Sequence, residues 1–249
     1  MSDQDGVGAG GRGQPNDGGE VERLKRAAAE AGDELVESSS VVGLGGGSTV
    51  LYAVRRLAQR LHSGELRDVL CVSSSRVTTD EALHLGLPLT TLEQRPRVDL
   101  TIDGAEEVDP RLDLVKGGGG ALLREKVLAQ VSAREVIVVD GGKLVERLGS
   151  TRPLPVEVAT FGWRAQVLFL ESLGARVALR ENPDRSPFLT EQGNLILDAR
   201  FGAIDDPRAL AAELERRAGI VAHGLFLGLT DEVIVADAGG VRTLTREAS

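Results

Sequence analysis

Between Thr101 and Lys126 the chain reads TIDGAEEVDPRLDLVKGGGGALLREK. Asp103, Glu106 and Glu107 follow a short apolar run, Lys116 leads into Gly117-Gly118-Gly119-Gly120, and Glu125 comes just after. Carboxylates and an ammonium at this spacing suit proton transfer and the orientation of hydroxyl groups. A polyglycine loop costs backbone entropy and packs nothing, so it belongs where main chain approaches a small polar ligand and offers its N–H groups as an oxyanion hole does. A second cluster, GLGGGST over 43–49, has the composition of a phosphate cradle: amides at a helix start, Gly46 and Gly47 included, joined by the hydroxyls of Ser48 and Thr49. It lacks the Gly-Lys-Ser/Thr end of a nucleotide-hydrolysing loop, and Ser73 to Ser75 stand where a dinucleotide site would need an acid. Lys143 follows another apolar run, VIVVDGG. Together these residues point to an enzyme acting on a phosphorylated metabolite.

Each part, read alone, also has a plain structural meaning. GLGGGST fits a tight strand-to-helix turn with Ser48 as N-cap. The acids fit a solvated turn, with Pro110 starting it and Asp109 and Asp113 in water. Glu125 fits a first-turn acid that offsets the helix dipole, and Lys143 fits an ordinary surface lysine. The conjunction favours a site, because these turns follow successive strands and open on one sheet edge. His62, His84 and His223 do not group with them, so no transition-metal site is expected. Acids 103, 106 and 107 have the chemistry to hold Mg²⁺, but the two nearby lysines argue against it.

The elements that must carry these turns follow from periodicity. Helical spacing covers 21–37, 50–61, 79–85 and 121–131. Apolar runs at 41–44, 69–72, 98–102 and 135–139 read as strands, and 88–90 starts another. This alternation predicts an α/β fold with a Rossmann-like parallel sheet and helices on both faces. After Arg152-Pro153-Leu154-Pro155 the rhythm changes to strand, helix, strand, strand, helix. That order predicts a smaller α+β, ferredoxin-like domain inserted near the C-terminus. The expected division is a disordered tail over 1–19, a Rossmann-like catalytic domain over 20–151 and 224–249, and a small α+β domain over 152–223. Segments 225–229 and 233–236 are expected to return to the first sheet.

Composition narrows the function further. The 249-residue chain carries 29 Lys plus Arg against 38 Asp plus Glu, a formal charge of −9. No nucleic-acid partner is expected of so acidic a surface, and a phosphate site must be a local pocket working against the overall field. No apolar run approaches the ~18 residues of a membrane span, and no signal-peptide core is present, so no membrane partner is expected. The single cysteine, Cys71, lies in an apolar run, which points to a reducing cytoplasm and a buried small hydrophobe.

The motifs GLGGGSTV (43–50), DGAEEVDPRLDLVKGGGGALLREK (103–126), VVDGGKLVERLG (138–149), PLPVEVATFGW (153–163), GNLILD (193–198) and GIVAHGLFLG (219–228) run in order through nearly all of the chain after the tail. In these the sequence resembles the A-type ribose-5-phosphate isomerases. The resemblance implies an aldose–ketose isomerase that interconverts ribose 5-phosphate and ribulose 5-phosphate through an enediolate, in the non-oxidative pentose phosphate pathway, without cofactor or metal. It implies Glu125 as proton acceptor, with Asp103, Glu106 and Lys116 also catalytic. It implies substrate-binding segments at Gly46 to Thr49, Asp103-Gly104-Ala105-Glu106 and Lys116-Gly117-Gly118-Gly119, with Lys143 as a further contact. A small-molecule substrate and a homo-oligomer, dimer or tetramer, are implied likewise. Three positions depart from the family pattern: Gly46 stands for a threonine, Glu106 for an aspartate, and Gly142 for a serine-like residue. Two other readings remain open on sequence: another sugar-phosphate isomerase or deaminase, and a non-catalytic sugar-phosphate-binding regulator.

Overall fold

The computed structural model describes residues 17–246. Its main sheet is built from β1 (Val41–Leu44), β2 (Leu70–Ser73), β3 (Leu100–Asp103), β6 (Glu135–Asp140), β12 (Glu232–Asp237) and β13 (Gly240–Thr245), in the order β13-β12-β6-β3-β1-β2. All neighbours are parallel except β12 and β13, which form an antiparallel edge. β1, β3 and β6 are almost wholly buried, as expected of strands covered on both faces. Helices α1 (Asp17–Asp33), α2 (Ser48–His62), α3 (Arg76–His84) and α4 (Leu122–Val131) cover the sheet. Val50, Val54 and Leu57 of α2 are fully buried against it, the stripe that their spacing predicts.

A second sheet takes β7 (Leu154–Val158), β8 (Arg176–Leu179), β9 (Leu195–Arg200) and β10 (Ile220–His223), all antiparallel, in the order β10-β7-β9-β8. With α5 (Trp163–Ser172) and α6 (Pro207–Glu215) between its strands, it has the strand-helix-strand-strand-helix-strand order of a ferredoxin-like unit. It has its own apolar core, centred on Val156, Leu170, Leu197 and Leu214. It is inserted between β6 and β12.

A third, three-stranded sheet sits between these two. It pairs β4 (Glu107–Val108), β5 (Leu114–Val115) and β11 (Leu225–Phe226) in the order β11-β5-β4. Its two-residue strands are too short to show a period, so periodicity could not reveal it. Segment 225–229, expected in the main sheet, contributes β11 here instead, because Gly224 turns the chain where the Lys116 N–H donates to its carbonyl. Asp113, expected in solvent, is buried: it accepts from the Gly228 N–H at 2.7 Å and faces Arg208 and Arg246. Residues 88–90 make only an isolated bridge, Cys71 to Leu89. Helix α1 starts at Asp17 and ends at Asp33, four residues earlier at each end than its apolar spacing predicts. Arg60 fixes that end by donating to the Asp33 carbonyl and carboxylate and to the Val36 carbonyl. Asp17 to Gly19 of the expected tail therefore belong to α1, and residues 1–16 lie outside the described residues.

Candidate active site

The C-terminal ends of β1, β3 and β6 bring their turns to one edge, where parallel α/β sheets bind ligands. After β1 the chain runs through Gly45 to Gly47 directly into α2. Gly47 is the N-cap with φ of +93°, and no side chain caps the helix. The first-turn N–H groups of α2 are thus left for an anion. Ser48 is therefore the first helical residue, not the N-cap. After β3 come Gly104, Ala105 and Glu106. After β6 a short 3₁₀ turn, held by Asp140 accepting from the Gly142 N–H, presents Lys143. The polyglycine loop and α4 complete the enclosure.

One pocket is lined by Gly46, Gly47, Ser48, Thr49, Gly104, Ala105, Glu106, Lys116, Gly117, Gly118, Gly119, Glu125 and Lys143, together with Lys25. Every residue expected in the site lines it except Asp103. That side chain is fully buried beneath the pocket. Its Oδ1 accepts from the Gly46 and Gly104 N–H groups at 3.0 and 2.7 Å, and its Oδ2 lies 2.9 Å from Lys116 Nζ. Asp103 is thus the one expected site residue that does not line the pocket; Lys116 and the two loops cover it.

Lys116 is the hub. The residue is 2 % exposed, and its ammonium pairs with Asp103, lies 3.6 Å from Glu125 Oε2 and donates to the Gly104 carbonyl. Burial alone would lower its pKa, but the charges of Asp103 and Glu125 outweigh that and raise it, so it stays charged. Glu125 is 5 % exposed, and its Oε2 has no hydrogen-bond partner among the described residues. Burial pushes its pKa up to about 7; Lys116 pulls it down in part, and Asp103 adds to the rise. A carboxylate poised near neutral pH in the lining of a pocket is suited to proton abstraction.

The carboxylates also explain several glycines. A Cβ at Gly45 would overlap the Asp103 carboxyl, one at Gly46 would meet Glu125 Oε1, and one at Gly118 would overlap the Glu106 carboxyl. These loops are glycine-rich partly to let acids lie against main chain. At Gly46 the Glu125 carboxylate occupies the space of the side chain that the family pattern would place there.

The three acids after β3 separate. Glu106 stays in the wall, 3.3 Å from Lys143 Nζ. Glu107 turns away, fully buried, and accepts from the N–H groups of Gly149, Thr151 and Arg152 and from the Thr151 hydroxyl. No group of three His, Cys, Asp or Glu side chains suited to a metal occurs among the described residues. The Ser73–Ser75 turn does not reach the pocket. Ser75 caps α3, and Thr78 of that helix donates to the Gly45 carbonyl at 2.8 Å, steadying the first loop from behind.

Lys25 is the residue that sequence reasoning missed. It comes from α1, far from any glycine loop, and its i,i+3 spacing to Glu22 reads as a surface ion pair. The pair exists at 2.7 Å, but packing of α1 on α2 also brings Lys25 Nζ to 3.3 Å from Ser48 Oγ. Only the tertiary arrangement carries that signal.

Fold and site together define a Rossmann-like α/β protein with a pocket lined by glycine-loop residues, three lysines and two carboxylates. The chain belongs to the ribose 5-phosphate isomerase A (phosphoriboisomerase A) family, whose model matches residues 70–240, and so to the isomerases. It is 54% identical over 225 residues to the ribose-5-phosphate isomerase A of Chloroflexus aurantiacus, covering 90% of this chain and 94% of that one. To the same enzyme of Gloeobacter violaceus it is 51% identical over 231 residues, covering 92% and 99%. Among solved structures, ribose 5-phosphate isomerase from Plasmodium falciparum superposes with a TM-score of 0.87 at 37% identity, covering 91% of this chain and 100% of that one. A D-ribose-5-phosphate isomerase in complex with phospho-erythronic acid gives 0.89 at 36% identity, covering 91% and 99%.

Proposed function

We propose that this pocket interconverts D-ribose 5-phosphate and D-ribulose 5-phosphate, with Glu125 as the base. The observation that carries the reading is the buried Glu125 carboxylate beside the Lys116 ammonium, in one pocket with the uncapped start of α2. The open-chain sugar places its phosphate at the α2 amides, the Ser48 and Thr49 hydroxyls and Lys25. Glu125 takes the proton from C2, and the electron pair moves into a C1–C2 double bond as charge shifts onto O1. Lys116 and the glycine-loop amides stabilise the resulting cis-enediolate. A hydroxyl proton passes from O2 to O1 through Glu106, and Glu125 returns its proton to C1. Atoms and charge balance with no added reactant. Asp103 holds Lys116 charged and in place, and Lys143 with Glu106 orients the remaining hydroxyls.

Phospho-erythronic acid, bound by a structural relative, pairs a phosphate with a carboxylate whose two oxygens stand in for those of the enediolate. It is therefore the inhibitor of choice. Glu125→Gln is expected to lower kcat about 10²–10⁴-fold while phospho-erythronic acid still binds. Near-native turnover in that variant would remove Glu125 from the role of base.

The same reading puts the enzyme in the cytoplasm as a homo-oligomer. The first is supported by cysteine usage, since the single, buried Cys71 can form no intramolecular disulfide; the second rests on the family resemblance.

A further inference from the structure

Arg180 follows β8 in the small sheet, outside every element that forms the pocket, yet its guanidinium reaches the glycine loop. Nη1 donates to the carbonyls of Gly117 at 2.9 Å and Gly118 at 3.0 Å. The other edge forks onto Asp198 of β9, with Nε 2.9 Å from Oδ2 and Nη2 on Oδ1. Phe188 lies 6.0 Å from the guanidinium and fills the space beside Gly120 where a side chain would stand.

A trans peptide is planar, with its N–H directed opposite to its carbonyl. Turning the Gly117 and Gly118 carbonyls toward Arg180 therefore turns the N–H groups of Gly118 and Gly119 away from it. Both residues are exposed and line the pocket, and neither N–H donates to an acceptor among the described residues. Four glycines in a row have no side chains to fix these planes. Within the loop the Gly120 N–H holds only the Gly117 carbonyl, at 3.0 Å; Arg180 adds an orienting force from outside, on both carbonyls, through a rigid, doubly bonded fork.

We infer that Arg180, braced by Asp198, is a positioning residue for the isomerisation: it holds the glycine-loop amides toward the developing oxyanion and makes the small sheet part of the catalytic apparatus. The inference rests on the proposed isomerase reading. It predicts a loss in kcat and little change in KM, since ground-state binding rests on the phosphate and hydroxyl contacts elsewhere.

The test compares wild type, Arg180→Ala, Arg180→Lys and Asp198→Asn with ribose 5-phosphate, alongside their melting temperatures. A wild type without isomerase activity defeats the functional reading itself; with an active wild type, the variants test Arg180 alone. Arg180→Ala is expected to lose about 10–100-fold in kcat, with KM within about 3-fold, and to regain part of it in millimolar guanidinium. Arg180→Lys keeps the charge but cannot fork Asp198 and span two carbonyls, so its kcat falls between the two; it also serves if the alanine variant does not fold. Asp198→Asn should lower kcat in the same direction, and the double variant Arg180→Ala/Asp198→Asn should lose no more than Arg180→Ala alone. Folded variants with wild-type kcat, or a loss carried wholly by KM, would overturn the inference.

Discussion

The ammonium of Lys116 lies 3.6 Å from the Glu125 carboxylate, and both are buried at the base of an otherwise open pocket. As the proposed base Glu125 must be ionised, and burial pushes its pKa up to about 7. The kcat/KM of the wild type should therefore rise with pH through an inflection near 7. The neighbours act on that inflection with opposite signs. Lys116 pulls the pKa down and Asp103 pushes it up. Lys116→Met should move the inflection to higher pH and Asp103→Asn to lower pH, each with a reduced rate. Shifts in the same direction in both variants would show that this cluster does not set the titration.

Stability carries the same signature. Glu125 has a folded-state pKa raised from 4.5, so folding favours its protonated form. The stability from that preference is complete below about 4.5 and is lost as pH rises through about 7. Wild type thus bears a buried carboxylate charge at pH 8 that Glu125→Gln does not. The melting temperature of the variant relative to wild type should be more favourable at pH 8 than at pH 5. A pH-independent difference would place the carboxylate in solvent.

Glu107 gives the contrasting case, an acid beside the site that serves the fold. Its carboxylate collects four donors from Gly149, Thr151 and Arg152, the segment that leads from the main sheet to the small one. Glu107→Gln replaces an acceptor with a donor amide facing buried N–H groups. Hydrogen bonds to a charged group are worth about 1.5–3 kcal/mol each, so a loss of at least that order is expected in thermal or urea unfolding. KM of the folded fraction should stay near wild type, which separates Glu107 from Glu106 one residue earlier.

How much of this was legible beforehand depended on the length of the signal. The buried runs of β1, β3 and β6 and the glycine loops after them have strong local patterns, so the sheet edge and its pocket followed from the sequence. The ferredoxin-like insertion was legible from element order. The β4–β5–β11 sheet was not, because two-residue strands have no period. The fates of Asp103, Glu106 and Glu107 also escaped, since three acids on one turn look alike until packing sends one beneath the pocket, one into its wall and one toward Thr151. Arg180 gave no sign either: it lies in a strand-like run, and its partners are carbonyls of a loop more than sixty residues away.

Chelation should leave the reaction untouched. In the proposed reaction a positive charge stabilises the enediolate, and Lys116, between the Asp103 and Glu125 carboxylates, already supplies one. Rates in EDTA and in added Mg²⁺ should agree with untreated enzyme. A rate that falls with EDTA and returns with one metal would show that Lys116 is not the electrophile.

Lys25 tests the phosphate end of the pocket. It stands against Ser48 at the open start of α2, where the helix offers amides but no charged side chain of its own in its first turn. In the proposed binding mode its ammonium, paired with Glu22, would still bring positive charge to a dianion in a chain of net charge −9. Lys25→Ala should raise KM roughly 10-fold, as loss of a charge-assisted contact made in ground state and transition state alike. The turnover number at saturation should change much less, and the salt dependence of kcat/KM should weaken. If KM held while kcat fell, Lys25 would act on the reacting end of the sugar, and the phosphate would have to bind elsewhere in the pocket.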